Sequence, residues 1–206
     1  MTSKEFKVVL AGPFGVGKTA FATRLRSAKS GAKQVKALKT TQYPVKLHTS
    51  AGQVTLTLYD TNLHAKGGIP DDGFFRIADA GVVFFDLTNE ESYKAMEEWY
   101  DALQKANGRK GSEPLPIIVV GTKADDIKGR ELKPDQIEFP RKKEHPYREI
   151  SAKANYGIKD LYLEICKGLL GDGVQLTDVV ELEKPEIDNI DEDALAKLYE
   201  EYEKAA

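Results

Sequence analysis

Apolar residues along the chain fall into short continuous runs separated by polar or helix-periodic stretches. Phe6-Lys7-Val8-Val9-Leu10, Gly81-Val82-Val83-Phe84-Phe85-Asp86, Ile117-Ile118-Val119-Val120 and Tyr147 to Ile150 read as buried strands. Val45 to Thr49 and Val54 to Tyr59 flank Ser50-Ala51-Gly52 and read as a hairpin. Between them lie helix-periodic stretches. The first runs from Thr19 to about Ser27. The second, Glu90 to Ala106, carries Tyr93, Met96, Trp99, Tyr100 and Leu103 on one face. The third is Ile158 to Leu170. Ala28 to Tyr43 is basic, polar and aperiodic, and reads as a loop. So do the Gly- and Pro-rich stretch Asp60 to Asp72 and the polar break Asn107 to Pro114.

Continuous apolar strands alternating with helices predict an α/β fold whose mostly parallel, six-stranded sheet is covered on both faces. After Leu170 the pattern changes. Gly171 to Asn189 reads as extended and acidic. Asp191 to Lys204 reads as a helix with Leu195, Leu198, Tyr199 and Tyr202 along one side. The expected organisation is a globular domain over residues 1–171 and an acidic linker and helix over 172–206. The Leu-Tyr stripe could cover either the body or a partner.

Composition sharpens this picture in three places. A hydrophobic fraction of 41% and a charged fraction of 31% fit a globular protein, and no apolar run has the length of a membrane span. The single cysteine, Cys166, sits in a helical pattern and reads as a core thiol in a reducing compartment. The net charge of −3 is unevenly spread: from Asp172 onward there are twelve acidic and three basic residues, a net of −9, which leaves +6 on the rest. An acidic tail on a basic body suggests that the two associate, or that they share a basic partner surface.

The chemistry begins at Gly12-Pro13-Phe14-Gly15-Val16-Gly17-Lys18-Thr19, which matches the phosphate-binding P-loop in full. A strand precedes it and a helix follows, as the motif requires. Successive backbone N–H groups of such a loop point at phosphate oxygens, and glycines allow the close approach. Lys18 would neutralise the terminal phosphates and the Thr19 hydroxyl would ligate Mg²⁺. Two more segments fall at strand ends on the edge where such sheets bind ligands: Thr122-Lys123-Ala124-Asp125 and Ser151-Ala152-Lys153.

These segments, in this order after a P-loop, resemble the guanine-reading motifs of Ras-like small GTPases. The resemblance implies a P-loop NTPase G domain that binds GTP and GDP with Mg²⁺. It implies phosphate and base contacts from Gly15, Val16, Gly17, Lys18, Thr19, Ala20, Thr122, Lys123, Asp125, Ser151, Ala152 and Lys153. Thr19 and Asp60 are the implied metal-side residues, and Lys18 and the residue at position 64 the catalytic ones. A carboxylate at Asp125 accepts from the guanine N1–H and 2-amino group. Adenine lacks that donor pair, which disfavours an ATPase.

Phe139-Pro140-Arg141-Lys142-Lys143, the run Tyr147 to Tyr156, Leu169-Leu170-Gly171-Asp172 and the acidic tail resemble the Ran-like branch. That resemblance implies nucleocytoplasmic transport, with transport receptors and Ran-type regulators as partners. It also implies residence in nucleus and cytoplasm, a monomer, no direct nucleic-acid contact and no membrane anchor. No cysteine stands near Glu203-Lys204-Ala205-Ala206, so prenylation there is not expected.

The switch segments depart from the family pattern. In Asp60-Thr61-Asn62-Leu63-His64, Leu63 replaces the family's Gly and His64 its catalytic Gln. An ungapped match from Thr19 to Pro44 puts Ala37 at the switch Thr and Ser30 at the aromatic residue that covers the guanine. Thr40 or Thr41 could supply a hydroxyl by another path. The expectation is a nucleotide binder with slow hydrolysis, or a non-hydrolysing scaffold.

Overall fold

The computed structural model describes residues 4–25, 35–37, 40–61, 73–107, 114–178 and 181–205. Its elements run β1 (Lys4–Ala11), α1 (Lys18–Ala22), β2 (Val35–Ala37), β3 (Thr40–Thr49), β4 (Gly52–Asp60), β5 (Ala80–Asp86), α2 (Glu90–Asn107), β6 (Ile117–Thr122), a 3-10 turn (Pro134–Gln136), α3 (Phe139–Lys142), β7 (Tyr147–Glu149), α4 (Ile158–Leu170) and α5 (Glu192–Lys204). The strands form one sheet in the order β2-β3-β4-β1-β5-β6-β7. β4, β1, β5, β6 and β7 are mutually parallel, and β3 runs antiparallel to β4.

The six expected strands are all present, and a three-residue seventh, β2, is added at the edge. That addition corrects the reading of Ala28 to Tyr43 as loop. Thr40 to Tyr43 extend β3 along β4 up to the pair Thr41↔Asp60, and Val35 to Ala37 pair with Gln42 to Thr40. The free edge of β3 supplies the ladder, and β-branched Thr40 and Thr41 suit it although they show no apolar alternation.

β5, β6 and the second half of β1 are buried on both faces, with side chains alternating between them. Val8, Leu10, Val82 and Phe84 face α1 and α4, where they meet Phe21, Leu161, Tyr162 and Ile165. Val9, Ala11, Val83 and Phe85 face the other way, toward Met96, Trp99 and Leu103 of α2. Cys166 is buried with the first group, and burial raises its thiol pKa to about 11. That is the environment of an unreactive core thiol.

The tail docks on the body. Leu195 and Tyr202 of α5 are buried, and Leu198 and Tyr199 pack beside them against Phe139, Tyr147 and Leu132. Removing a Leu such as Leu195 from water is worth roughly 2 kcal/mol. The basic run is part of this contact. Arg141 donates to the Tyr202 carbonyl at 2.9 Å, and its guanidinium lies 4.8 Å from the centroid of the Tyr202 ring. Asp191 caps α5 by accepting from the Ala194 N–H at 2.9 Å.

The linker leaves its own mark on α1. The expected helix Thr19 to Ser27 ends at Ala22 instead, because the following residues pair with the tail: Leu25 bridges Leu182, and the Arg24 carbonyl accepts from the Glu183 N–H at 2.8 Å. Arg24 is buried. Its guanidinium donates to the carbonyls of Glu183 (3.1 Å) and Lys184 (2.6 Å) and to the side chain of Asn155 (2.8 Å).

Candidate functional site

The parallel strands all end on one edge, so their following loops are neighbours there. β1 runs into Gly12 to Gly17, β4 ends on Asp60, β5 on Asp86, β6 runs into Lys123 to Asp125 and β7 into Ser151 to Lys153. Every described residue expected in the site lies on this edge. Leu63, His64 and Ser30 lie outside the described residues.

The phosphate loop has the required backbone. Gly12 has φ 136°, and a Cβ there would sit 2.4 Å from the Phe84 carbonyl oxygen. Gly17, at φ 93°, turns the chain into α1. Both positions demand glycine sterically. Lys18 is buried, and its ammonium donates to the carbonyls of Gly12 (2.7 Å) and Pro13 (2.6 Å) within the loop. It also lies 5.6 Å from the Trp99 ring centroid. Pro13, Phe14, Gly15 and Val16 carry no polar side chain, so the loop offers a phosphate backbone N–H groups and one cation.

Burial lowers the Lys18 pKa from 10.5 to about 8, against an opposing pull from the Asp60 charge. The folded form thus loses this proton near pH 8, while the unfolded chain keeps it up to about 10.5. Between those values the unfolded state holds more protons, so this group's destabilising contribution shrinks as pH rises. Phosphate charge would restore the proton. Nucleotide-free protein at pH 8 is therefore expected to take up about half a proton on binding GDP. Calorimetry in buffers of different ionisation enthalpy measures this, and Lys18→Arg should abolish the uptake.

Thr19 and Asp60 converge, with the Thr19 hydroxyl hydrogen-bonded to the Asp60 carboxylate. A hydroxyl and a carboxylate are hard oxygen donors suited to Mg²⁺. Among the described residues no group of three His, Cys, Asp or Glu side chains could hold a metal. An ion here would complete its shell with phosphate and water oxygens, the usual arrangement for Mg²⁺. Thr41 stands opposite Asp60 in the β3–β4 ladder, while Ala37 lies in β2, paired with Thr40. Both positions thus lie in the strands at the sheet edge.

The two segments expected to read the base are firmly tied. The Thr122 hydroxyl bonds the carbonyls of Val16 (2.7 Å) and Phe85 (2.9 Å), joining the phosphate loop to two strands. The Ala124 N–H donates to the Ile150 carbonyl at 3.1 Å, which holds the two base segments side by side. Asp125 is half-buried, at the turn that follows. Ser151 is fully buried, and its hydroxyl accepts from the Ala154 N–H at 3.0 Å. The Lys153 carbonyl accepts from the Glu186 N–H at 2.7 Å, so the linker passes directly beside this loop.

The sequence reading missed Asp86. Its buried carboxylate forms an ion pair with Lys123, and also accepts from the Thr88 N–H (2.9 Å) and hydroxyl (2.7 Å). Lys123 itself sits at φ 59°, a strained value for a lysine. The available signal was a lone carboxylate closing an otherwise apolar strand.

A family model described as the Ras family matches residues 7–170. That span starts within β1 and ends with the last residue of α4. It takes in the phosphate loop, the metal-side pair and both base-reading segments, and stops where the acidic linker begins. The chain belongs to the Ras family of GTP-binding small GTPases.

Proposed function

We infer that this protein is a Ran-like guanine-nucleotide-binding protein of nucleocytoplasmic transport, shared between nucleus and cytoplasm, with slow GTP hydrolysis. The observation that supports the Ran-like reading is the seating of the tail helix on Arg141, in the run that resembles the Ran basic patch. Asp125 and the Ala152 N–H would read guanine, Lys123 would lie along the base held by Asp86, and Lys18 would face the phosphates. Mg²⁺ supplies charge neutralisation on the phosphates when bound, and Thr19 and Asp60 would hold it. Transport receptors and Ran-type regulators are the proposed partners.

The second reading is a non-hydrolysing G domain acting as a scaffold. Ala37 favours it, since a methyl group offers no oxygen to a metal or a γ-phosphate. The phosphate loop and the two base segments favour retained guanine nucleotide in either reading. The purified protein, denatured and run on an anion-exchange column, should release GDP or GTP at close to one per chain. Release of adenine nucleotides alone, or of none, overturns the guanine-binding reading, and release of none is the outcome a scaffold with an unused pocket would give.

A further inference from the structure

The segment that carries Asp125 leaves β6 at Thr122 and returns at Arg130. Beyond the β6–β7 ladder, which ends at Gly121↔Glu149, backbone hydrogen bonds from Ile150 N–H to the Gly121 carbonyl (2.9 Å) and from Ala124 N–H to the Ile150 carbonyl (3.1 Å) tie this loop to the segment leading into Ser151 to Lys153. A buried side-chain fork adds to them: Arg130 Nη1 and Nη2 donate to the two oxygens of Glu149 at 2.8 and 2.7 Å, with both side chains less than a tenth exposed. Arg130 Nε donates to the Leu132 carbonyl at 2.7 Å, and the Tyr147 hydroxyl donates to Glu149 at 2.8 Å. The Glu131 and Leu132 N–H groups both reach the Leu87 carbonyl, which fixes the return limb to the end of β5. Within the loop, Asp126 accepts from the Gly129 N–H at 2.9 Å. The start of the loop is tied through Thr122, Lys123 and Ala124, and Arg130 fixes its returning end.

The geometry points to Arg130 and Glu149 as positioning residues for guanine recognition. They touch no base. They set the span between the Asp125 carboxylate, which meets one edge of guanine, and the Ala152 N–H, which meets its carbonyl. A planar fork fixes distance and angle together, which a point charge does not. Glu149 lies two residues before Ser151 and Arg130 five after Asp125, so a shift of the pair moves one reader against the other. This inference rests on the guanine-binding reading above.

Inosine diphosphate tests it, because hypoxanthine keeps the carbonyl and N1–H of guanine and lacks only the 2-amino group. Wild-type protein should prefer GDP to IDP by at least tenfold. The double variant Arg130→Met, Glu149→Leu replaces the pair with apolar groups of similar volume and leaves no lone buried charge. It should keep its circular dichroism spectrum, lose tenfold or more in GDP affinity, and show a GDP-to-IDP ratio near one. Arg130→Lys keeps the charge without the fork and should fall between; it carries the test alone if the double variant does not fold. A merely structural role would weaken GDP and IDP equally. A wild-type ratio that survives within twofold in the variants overturns the brace. A wild type with no preference overturns the base reading itself, and the brace with it.

Discussion

Asp125→Asn will lower GDP affinity by about two to four orders of magnitude and admit xanthosine diphosphate in its place. The estimate follows from the bonds at stake. The carboxylate would accept from N1–H and from the 2-amino group, and hydrogen bonds to a charged group are each worth about 1.5–3 kcal/mol. At 1.4 kcal/mol per tenfold, two such bonds set the scale. Asparagine keeps the shape and presents an NH₂ where guanine also presents one, so two donors meet. Xanthine carries a carbonyl at that position and restores the match. The surroundings should tolerate the change, because the Asp126–Gly129 hydrogen bond that shapes the loop does not involve Asp125. Competition of GDP and XDP against a fluorescent guanine nucleotide measures the outcome. An unchanged preference for GDP would show that Asp125 is not the base reader.

The second large effect concerns hydrolysis. GTP turnover by the wild type, measured with enzyme in excess, should be slower than its release of product, and Leu63→Gly with His64→Gln should raise it by about tenfold to a hundredfold. Phosphoryl transfer depends on positioning and on charge stabilisation, with little covalent work for the protein. Lys18, Thr19 and Asp60 are already gathered at the end of the sheet. The contribution expected to be missing is orientation of the attacking water, the task of the family's Gln. For scale, removing one preorganised oxyanion-hole donor in other enzymes costs about 10²–10³ in rate. A histidine is shorter and stiffer, and its protonation varies near neutral pH. Wild-type turnover equal to that of the double variant would locate the obstacle elsewhere, with the absent hydroxyl at Ala37 as the next suspect.

The parts of this molecule that were readable in sequence share a physical character. Strands such as Gly81 to Asp86 are buried on both faces, so every residue carries the signal. α4 was bounded correctly at both ends, with Gly157 before Ile158 and Gly171 after Leu170. The site loops were legible because each follows directly on a buried strand, and the topology then brings them together. What escaped notice was short or long-range. The 3-10 turn Pro134–Gln136 and α3 are three and four residues long, about one turn each and too short to show a periodic pattern. The early end of α1 is imposed by Leu182 and Glu183, far away in the chain. Asp86 with Lys123, and Arg130 with Glu149, are pairs that exist only once β5, β6 and β7 lie side by side. Single residues of either pair look like ordinary surface charges in the sequence.

The clamp on Arg24 bears on how the chain is made. Its guanidinium is enclosed by carbonyls lying 159 and 160 residues further on, and it meets the Glu186 carboxylate 162 residues on. A nascent chain leaving the ribosome can close the sheet once β7 has emerged, but Arg24 must wait for the linker. Pairings of such separation are slow to form, because loop-closure entropy must be met before they gain anything. The strap is thus a late step in this protein's assembly, ahead only of the docking of α5, and it closes beside the loop that holds Ser151 to Lys153.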